Sequence, residues 1–534
     1  MLLTLIKNFI NLKKIQITLL LILMTFSQLI TIVIPLLSSK LIDNLIKKNI
    51  SNCILMIKLS LIALMLNLII QYFYKVIRIK NQQQLVFLIQ SKLLTNIYNS
   101  RSFDRSSDTS TFLSQITLTD SDIIANFIFE NIFDFFSNFL MIIISLILLF
   151  KINILFFIIA LFSIPFYIIL ILTMQPKVTV KMNTSKRAES EYTSKIINIF
   201  QSMITIKELS NIDNMMNLIN HKFKDMFFNY MKTYKYLYLF YSIGTICTSS
   251  IQIIYYIIGI FLVTNNKLSV GEFTIVLSFY NFLLASVNYF LNFFEKYNDF
   301  YTSWNRIHTN FSRNFIFHNG IRLDDIFSIK TKYFSLKLGD KSIKFPSFNI
   351  SKGEILLING ENGVGKTTLL RIISGVYYFK NQEIKFNDIS IDRINMDFLR
   401  TNTITICSTN FSFVMDDVIS NIKFYLNDNS ISKHQILNFI RKHKLDKLFN
   451  HMEDILDSRI DTLSTGQLQK IALLISFIKP SSLLILDEPT LGLDKNSKNE
   501  LIIFLKKIKS NKIILIVSHE KIFESISTQS LFIG

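Results

Sequence analysis

The stretch Gly360-Glu361-Asn362-Gly363-Val364-Gly365-Lys366-Thr367-Thr368 has the make-up of a phosphate cradle. Its spacing is GxxxxGK[ST], and it lies between an apolar run, Ile355–Leu357, and a helix predicted over Thr368–Ser374, which is the context the pattern requires. The glycines let backbone N–H groups approach a β-phosphate. Lys366 neutralises β/γ charge, and the Thr367 hydroxyl suits Mg²⁺ at the positive end of a helix. A second apolar run, Leu483–Leu486, delivers Asp487 and Glu488. Asp487 is suited to holding Mg²⁺ through water and Glu488 to polarising the attacking water, so the expected chemistry is hydrolysis of ATP and not its binding alone. Two acids behind an apolar strand are usually structural. Downstream of a phosphate cradle they are read as catalytic.

Composition marks where the part holding these residues begins. Of 13 glycines, only Gly244, Gly259 and Gly271 precede residue 301. Half of the 534 residues are apolar, too many for one soluble domain, and the length exceeds that of one domain. Six apolar stretches are long enough to cross a ~30 Å hydrocarbon core as helices of roughly 20 residues: Ile15–Leu37, Cys53–Tyr74, Ile128–Phe150, Ile152–Met174, Leu237–Val263 and Phe273–Phe294. Short connections around Lys151 and Asn265–Ser269 alternate with long polar excursions, Lys75–Asp122 and Gln175–Lys235. The excursions carry Arg78, Arg101, Arg105, Arg187 and many lysines, which places them and both termini in the cytoplasm by the positive-inside bias, although Lys40, Lys47 and Lys48 fall on the other side. A cleaved signal peptide over residues 1–30 is disfavoured by the length of the run and the lack of a small-x-small site. The formal charge of +19, from 57 basic and 38 acidic residues, is scattered along the chain, which fits cationic cytoplasmic loops and argues against a nucleic-acid partner. Cys53, Cys247 and Cys407 support neither a disulfide scaffold nor a zinc site. Glu130 and Asp134, four apart on one helical face, either line a polar cavity or stand in water below the bilayer. Asn281, Asn288, Asn292 and Glu295 read either as cavity lining or as interhelical hydrogen-bonding groups.

Between the cradle and the acids lies Leu463-Ser464-Thr465-Gly466-Gln467. After them come Leu491-Gly492-Leu493-Asp494 and the strand Ile513–Val517 capped by Ser518-His519. In this order the motifs resemble those of the ATP-binding cassette family: P-loop, LSGGQ-like signature, Walker B with its Glu, D-loop with Asp494, and H-loop. The six-stretch part is similar to the family's exporter branch, as are Asp120, the Ile206-Lys207 neighbourhood and Val270-Gly271-Glu272. The resemblance implies a multidomain chain: a six-helix all-α transmembrane domain over 1–305, a linker over 306–330, and an α/β P-loop NTPase domain over 331–534. It also implies that two cassettes sandwich ATP and Mg²⁺, with Ser464 and Gly466 of one chain meeting the γ-phosphate held by Lys366 of the other and His519 contacting that phosphate.

The chain departs from the family pattern at several places. Ser408, in Ser408-Thr409-Asn410-Phe411-Ser412-Phe413, stands where a Gln would meet Mg²⁺ and water. No aromatic lies at Leu336–Leu338 to stack on adenine, although Tyr333 or Phe334 could serve if the register slips. Thr465 replaces the first signature Gly, and Ser458-Arg459-Ile460 stands where exporters carry a Gly-containing segment. The resemblance leads us to expect a dimer of identical chains or of this chain with a paralogous half-transporter, in the bacterial cytoplasmic (inner) membrane, in contact with lipid. It is expected to export an amphipathic substrate, foremost an antibacterial peptide of the microcin or bacteriocin type. Alternatives are a lipid or drug, or a weakly hydrolysing partner subunit. Cys53, the first cysteine, already lies in the second stretch, so leader cleavage by a cysteine protease domain is not expected.

Overall fold

The computed structural model describes residues 2–98, 115–209, 212–311, 320–338, 341–377, 383–409 and 411–533; Arg101, Arg105 and Asn410 lie outside them. The chain divides into two compact units, one holding residues 1–94 and 110–311, the other 95–109 and 312–534.

Five of the apolar stretches lie at or near one end of a longer helix, and the other, Ile152–Met174, starts on the last residue of one helix and continues past Asn153 into the next. Among the described residues the six long helices are Lys14–Ile46, Ile50–Tyr98, Ile116–Ile152, Ile154–Gln201, Ile212–Thr264 and Val270–Phe311. At 1.5 Å per residue they span roughly 50–80 Å, well beyond a ~30 Å core. The described parts of the polar excursions are therefore largely helical continuations, broken by Ser202 before a separate short helix, Met203–Glu208. Five of the long helices have windows apolar enough to cross a membrane, and Ile154–Pro165 is the apolar part described for the remaining one. The third helix is irregular, with π-type stretches at Gln115–Asp120 and Phe127–Asn131. The turn at Asn153 is a single extended residue whose side chain caps the next helix by accepting from Leu155 N at 2.9 Å.

The start of the sixth helix explains Val270-Gly271-Glu272. Ser269 and Glu272 cap each other reciprocally, Glu272 Oε2 accepting from Ser269 N at 2.8 Å and Ser269 Oγ from Glu272 N at 2.9 Å. Asp43, near the end of the first helix, accepts from Ser269 Oγ and Gly271 N, both at 2.8 Å. A Cβ at Gly271 would lie 2.4 Å from the Ser39 carbonyl oxygen, so only glycine allows this approach.

The sixth helix runs to Phe311 and strand β1 opens at Ser328, so the segment read as linker, 306–330, holds the end of a helix and the start of a strand. The second unit has eleven described strands: β1 Ser328–Thr331, β2 Phe334–Leu338, β3 Lys341–Phe345, β4 Phe348–Ser351, β5 Ile355–Gly360, β6 Ile384–Phe386, β7 Ile389–Ser390, β8 Ile404–Cys407, β9 Leu483–Asp487, β10 Ile513–Val517 and β11 Gln529–Ile533. They form an all-parallel sheet in the order β11-β5-β10-β9-β8, a second sheet in the order β4-β1-β6-β7, and the β2–β3 hairpin. The three central strands carry unbroken apolar runs, Ile355–Ile358, Leu483–Leu486 and Ile513–Val517, because both faces are covered. Leu357, Leu486 and Ile516 pack into one core, whereas their neighbours Ile358, Ile485 and Leu515 pack into the other.

Candidate active site

Strand order assembles the site. β10 lies between β5 and β9, so the segments leaving their carboxyl ends, Ser518-His519, the phosphate cradle and Asp487-Glu488, meet at one edge of the sheet. That edge is where open parallel sheets bind ligands. The cradle leaves β5 through Gly360 (φ +151°), turns at Gly363 (φ +87°) and enters the helix Lys366–Ile373 at Gly365 (φ +102°). Glu361, Asn362 and Val364 fill the turn, and Thr367 and Thr368 open the helix, whose free N–H groups make an anion site.

Gly360 also has no room for a side chain. A Cβ there would sit 2.2 Å from the Ile533 carbonyl oxygen of β11, and backbone cannot swing aside. Gly360→Ala is expected to destabilise the second unit by about 2 kcal/mol or more, and Gly363→Ala, which meets open space, by only about 1 kcal/mol. Thermal melting of the two variants checks the order.

Lys366 is buried. Its ammonium donates to the carbonyls of Gly360 (2.6 Å) and Glu361 (3.1 Å) and lies 3.0 Å from His519 Nε2. His519 Nε2 is also 3.1 Å from Asn362 Oδ1 and 3.8 Å from Glu488 Oε1. The Thr367 hydroxyl donates to Asp487 Oδ2 at 2.9 Å. The structure thus brings Lys366, Thr367, Asp487, Glu488 and His519 into one cluster. Hydroxyl and carboxylate converge there with no thiol, a hard-oxygen donor set that fits Mg²⁺. Burial raises the Asp487 carboxyl above the ordinary range against the pull of Thr367, Arg371 and Lys366. Burial likewise raises Glu488, opposed by His519 and Ser518. Glu488 is held at φ +49°, a costly backbone for a non-glycine residue. Its N–H donates to the Val517 carbonyl at 2.9 Å, and its Oε2 accepts from Ser518 Oγ at 3.3 Å.

The signature lies elsewhere in the unit. Among the described residues, no hydrogen bond or ion pair links Leu463–Gln467 to the cradle. Ser464 and Gln467 form a capping box at the start of the helix Thr465–Ile478. Leu463 packs against the core, and Thr465 is exposed, so replacing a glycine there meets no obstacle in this unit. Gly466 has no such freedom, because a Cβ would stand 3.0 Å from the Gly492 carbonyl oxygen. Asp494 is an N-cap, accepting from Ser497 N at 2.9 Å and Ser497 Oγ at 3.1 Å.

Ser408 follows Cys407, which pairs with Leu486, so it continues β8 alongside the strand that ends in Asp487. The buried Cys407 thiol is pushed up to about 12, which removes thiolate reactivity beside the site. Phe334 is core, its ring 4.9 Å from that of Phe345, and so is unavailable to a nucleobase; Tyr333 is 60 % exposed. Sequence reasoning missed Ile343, whose Cγ2 would touch a Cβ at Gly365 at 3.0 Å, and the Arg371 charge acting on Asp487. Neither residue belongs to a local pattern that would have drawn notice.

Comparison with known proteins decides the family. Residues 17–287 match the ABC transporter transmembrane region and residues 343–491 the ABC transporter family. The chain belongs to the ABC transporter family. It is similar to a nisin transport ATP-binding protein of Lactococcus lactis, 29 % identical over 33 % of this chain and 31 % of that protein. It is also similar to an ATP-dependent lipid A-core flippase of Pasteurella multocida, 25 % identical over 38 % and 35 %. The chain spans roughly a third of the length of such curated relatives. A bacterial Atm1-family ABC exporter solved with ATP bound superposes with a TM-score of 0.84, covering 98 % of this chain and 94 % of that one at 12 % identity, which shows the fold. This ABC transporter chain is accordingly an integral membrane protein, with a helical transmembrane domain ahead of an ATP-binding domain.

Proposed function

We propose that the chain is an ATP-driven exporter half, acting as a dimer in the bacterial cytoplasmic membrane with both termini and the ATPase domain inside, and that its cargo is an amphipathic peptide of the bacteriocin type. The observation that carries the ATP-driven part is the cluster of Lys366, Thr367, Asp487, Glu488 and His519 behind six long helices. In this reading the cradle and Lys366 bind the phosphates, Glu488 takes a proton from the attacking water, and His519 contacts the γ-phosphate. Thr367 and Asp487 would hold Mg²⁺, which supplies charge neutralisation at the phosphates.

The dimer is supported by the signature standing apart from the cradle: Ser464 and Gly466 serve a phosphate only if a second chain presents it. Asp494 would meet that chain at the same junction. ATP favours the closed pair only through its differential affinity for that state. The peptide cargo is supported by the likeness to a nisin transport protein; the likeness to a lipid A-core flippase favours a lipid as the second reading. ATPase of the purified chain in nanodiscs, titrated in turn with a cationic antibacterial peptide, a lipopolysaccharide core and a hydrophobic dye, separates them. Stimulation by the peptide is the expected result, and stimulation by the dye alone would overturn the peptide assignment.

A further inference from the structure

Three helices bring ionisable and aromatic groups together at one depth. The second apolar run ends at Tyr74, the third begins at Ile128 and the sixth ends at Phe294, so Tyr74, Arg78, Glu130, Asp134, Tyr289 and Lys296 share the cytoplasmic margin of the hydrocarbon core. Arg78 is largely buried, at 15 % exposure, with Nη2 3.9 Å from Glu130 Oε1 and Cζ 5.7 Å from the Tyr74 ring centre. Arg78 thus answers Glu130. The half-buried carboxylate of Asp134 has no hydrogen bond or ion pair among the described residues, and charge at this depth persists for function.

A neighbouring polar atom is also unsatisfied. Asn131 Oδ1 is buried without a hydrogen bond, and Asn131 itself is 92 % buried, three residues from Asp134 on the same side of the helix, while Tyr74 OH lies within reach of Arg78. The helix is π-distorted at Phe127–Asn131, a stretch that contains Glu130 and ends three residues before Asp134, a distortion frequent at functional sites. Aromatic rings flank the cluster: Phe135 is 5.0 Å from both Phe290 and Phe293, and Tyr289 is 6.1 Å from Phe293. Lys296 already places a cation of the chain's own 5.9 Å from the Tyr289 ring centre. A half-buried carboxylate with Arg78 and Lys296 in electrostatic reach but no direct ion pair, a second one in contact with Arg78, and aromatic faces together suit an organic ammonium with an apolar body.

We propose that Asp134 and Glu130, backed by Tyr74 and Tyr289, bind the ammonium group of an amphipathic molecule entering from the inner leaflet. This rests on the reading of the chain as an exporter and names the chemistry its cargo must carry. The ammonium belongs either to the cargo or to a lipid headgroup.

The test uses the nucleotide-free full chain in dodecyl maltoside, a neutral detergent without amines. A dansyl-labelled alkylammonium and the matching alcohol are titrated by fluorescence anisotropy. The ammonium is expected to bind at least ~10-fold more tightly than the alcohol. Asp134→Asn is expected to remove that preference, and Asp134→Glu to retain it within about threefold. Equal binding of ammonium and alcohol to the wild-type chain overturns the proposal, a result that holds even if Asp134→Asn fails to fold. A folded Asp134→Asn that keeps full preference overturns it as well. Competition by phosphatidylethanolamine supports the site with a headgroup as its ligand, and competition by a cationic peptide alone supports it with cargo as its ligand. No nucleotide is present, so loss of the ammonium preference leaves the ATPase of the unmodified chain, and the exporter reading with it, standing.

Discussion

Glu488→Gln is expected to lower ATP turnover by roughly 10²–10⁴-fold, the range of a positioned general base, while leaving nucleotide binding within about threefold. The side chain is isosteric, so the Ser518 hydroxyl keeps its acceptor and the backbone bond to Val517 is untouched. What disappears is the ability to take a proton. Binding should persist because Lys366 and the cradle amides are unaltered. Phosphate release by the purified chain, set beside binding of a fluorescent ATP analogue, reads both quantities. Turnover near that of the unmodified chain would mean that another group activates water. Turnover at background in the unmodified chain would favour the weakly hydrolysing partner subunit, the reading raised by Ser408 and Thr465.

The second large effect is expected at a buried ion pair in the helical unit. Asp120, fully buried, accepts from Arg306 Nε at 2.8 Å, Arg306 Nη2 at 2.7 Å and Ser303 Oγ at 2.9 Å, clamping the start of the third helix to the end of the sixth. Removing one partner strands the other, and the two are not equally protected from water: the Arg306 side chain is 39 % exposed and that of Asp120 not at all. Arg306→Ala therefore leaves a carboxylate with no access to solvent and should cost about 3–5 kcal/mol. Asp120→Asn leaves a cation that can reach water and an amide that still hydrogen-bonds, so it should cost clearly less. The double variant Asp120→Leu with Arg306→Met should recover most of the loss, since replacing a buried pair by apolar groups is often neutral. Thermal unfolding in detergent ranks the three; equal loss in both single variants would refute the argument from exposure.

How far the sequence could be read depended on how local each feature is. The cradle and Asp487-Glu488 each sit where an apolar strand ends, and a contiguous motif exposes both strand and chemistry. Their meeting with His519 was not legible from any one motif, because it depends on β10 inserting between β5 and β9, a matter of strand order and not of spacing. The six apolar stretches were visible as runs, yet the helices around them extend far into the polar excursions, where amphipathic and charged residues hide continuity. The Asp120–Arg306 clamp joins residues 186 apart and leaves no periodic trace. Phe334 could stand for a nucleobase platform in a linear reading. Only the fold, which leaves Tyr333 exposed just ahead of β2 and packs Phe334 onto Phe345, removes it.

The most direct measurement is ATP-dependent uptake of a labelled amphipathic peptide into inverted membrane vesicles holding either the unmodified chain or Lys366→Ala. The unmodified chain should accumulate the peptide when ATP is supplied, and Lys366→Ala should fall to the rate seen without nucleotide, because the buried ammonium over the cradle is gone. Uptake by Lys366→Ala at the unmodified rate would contradict the claim that nucleotide held at this cradle drives the membrane helices.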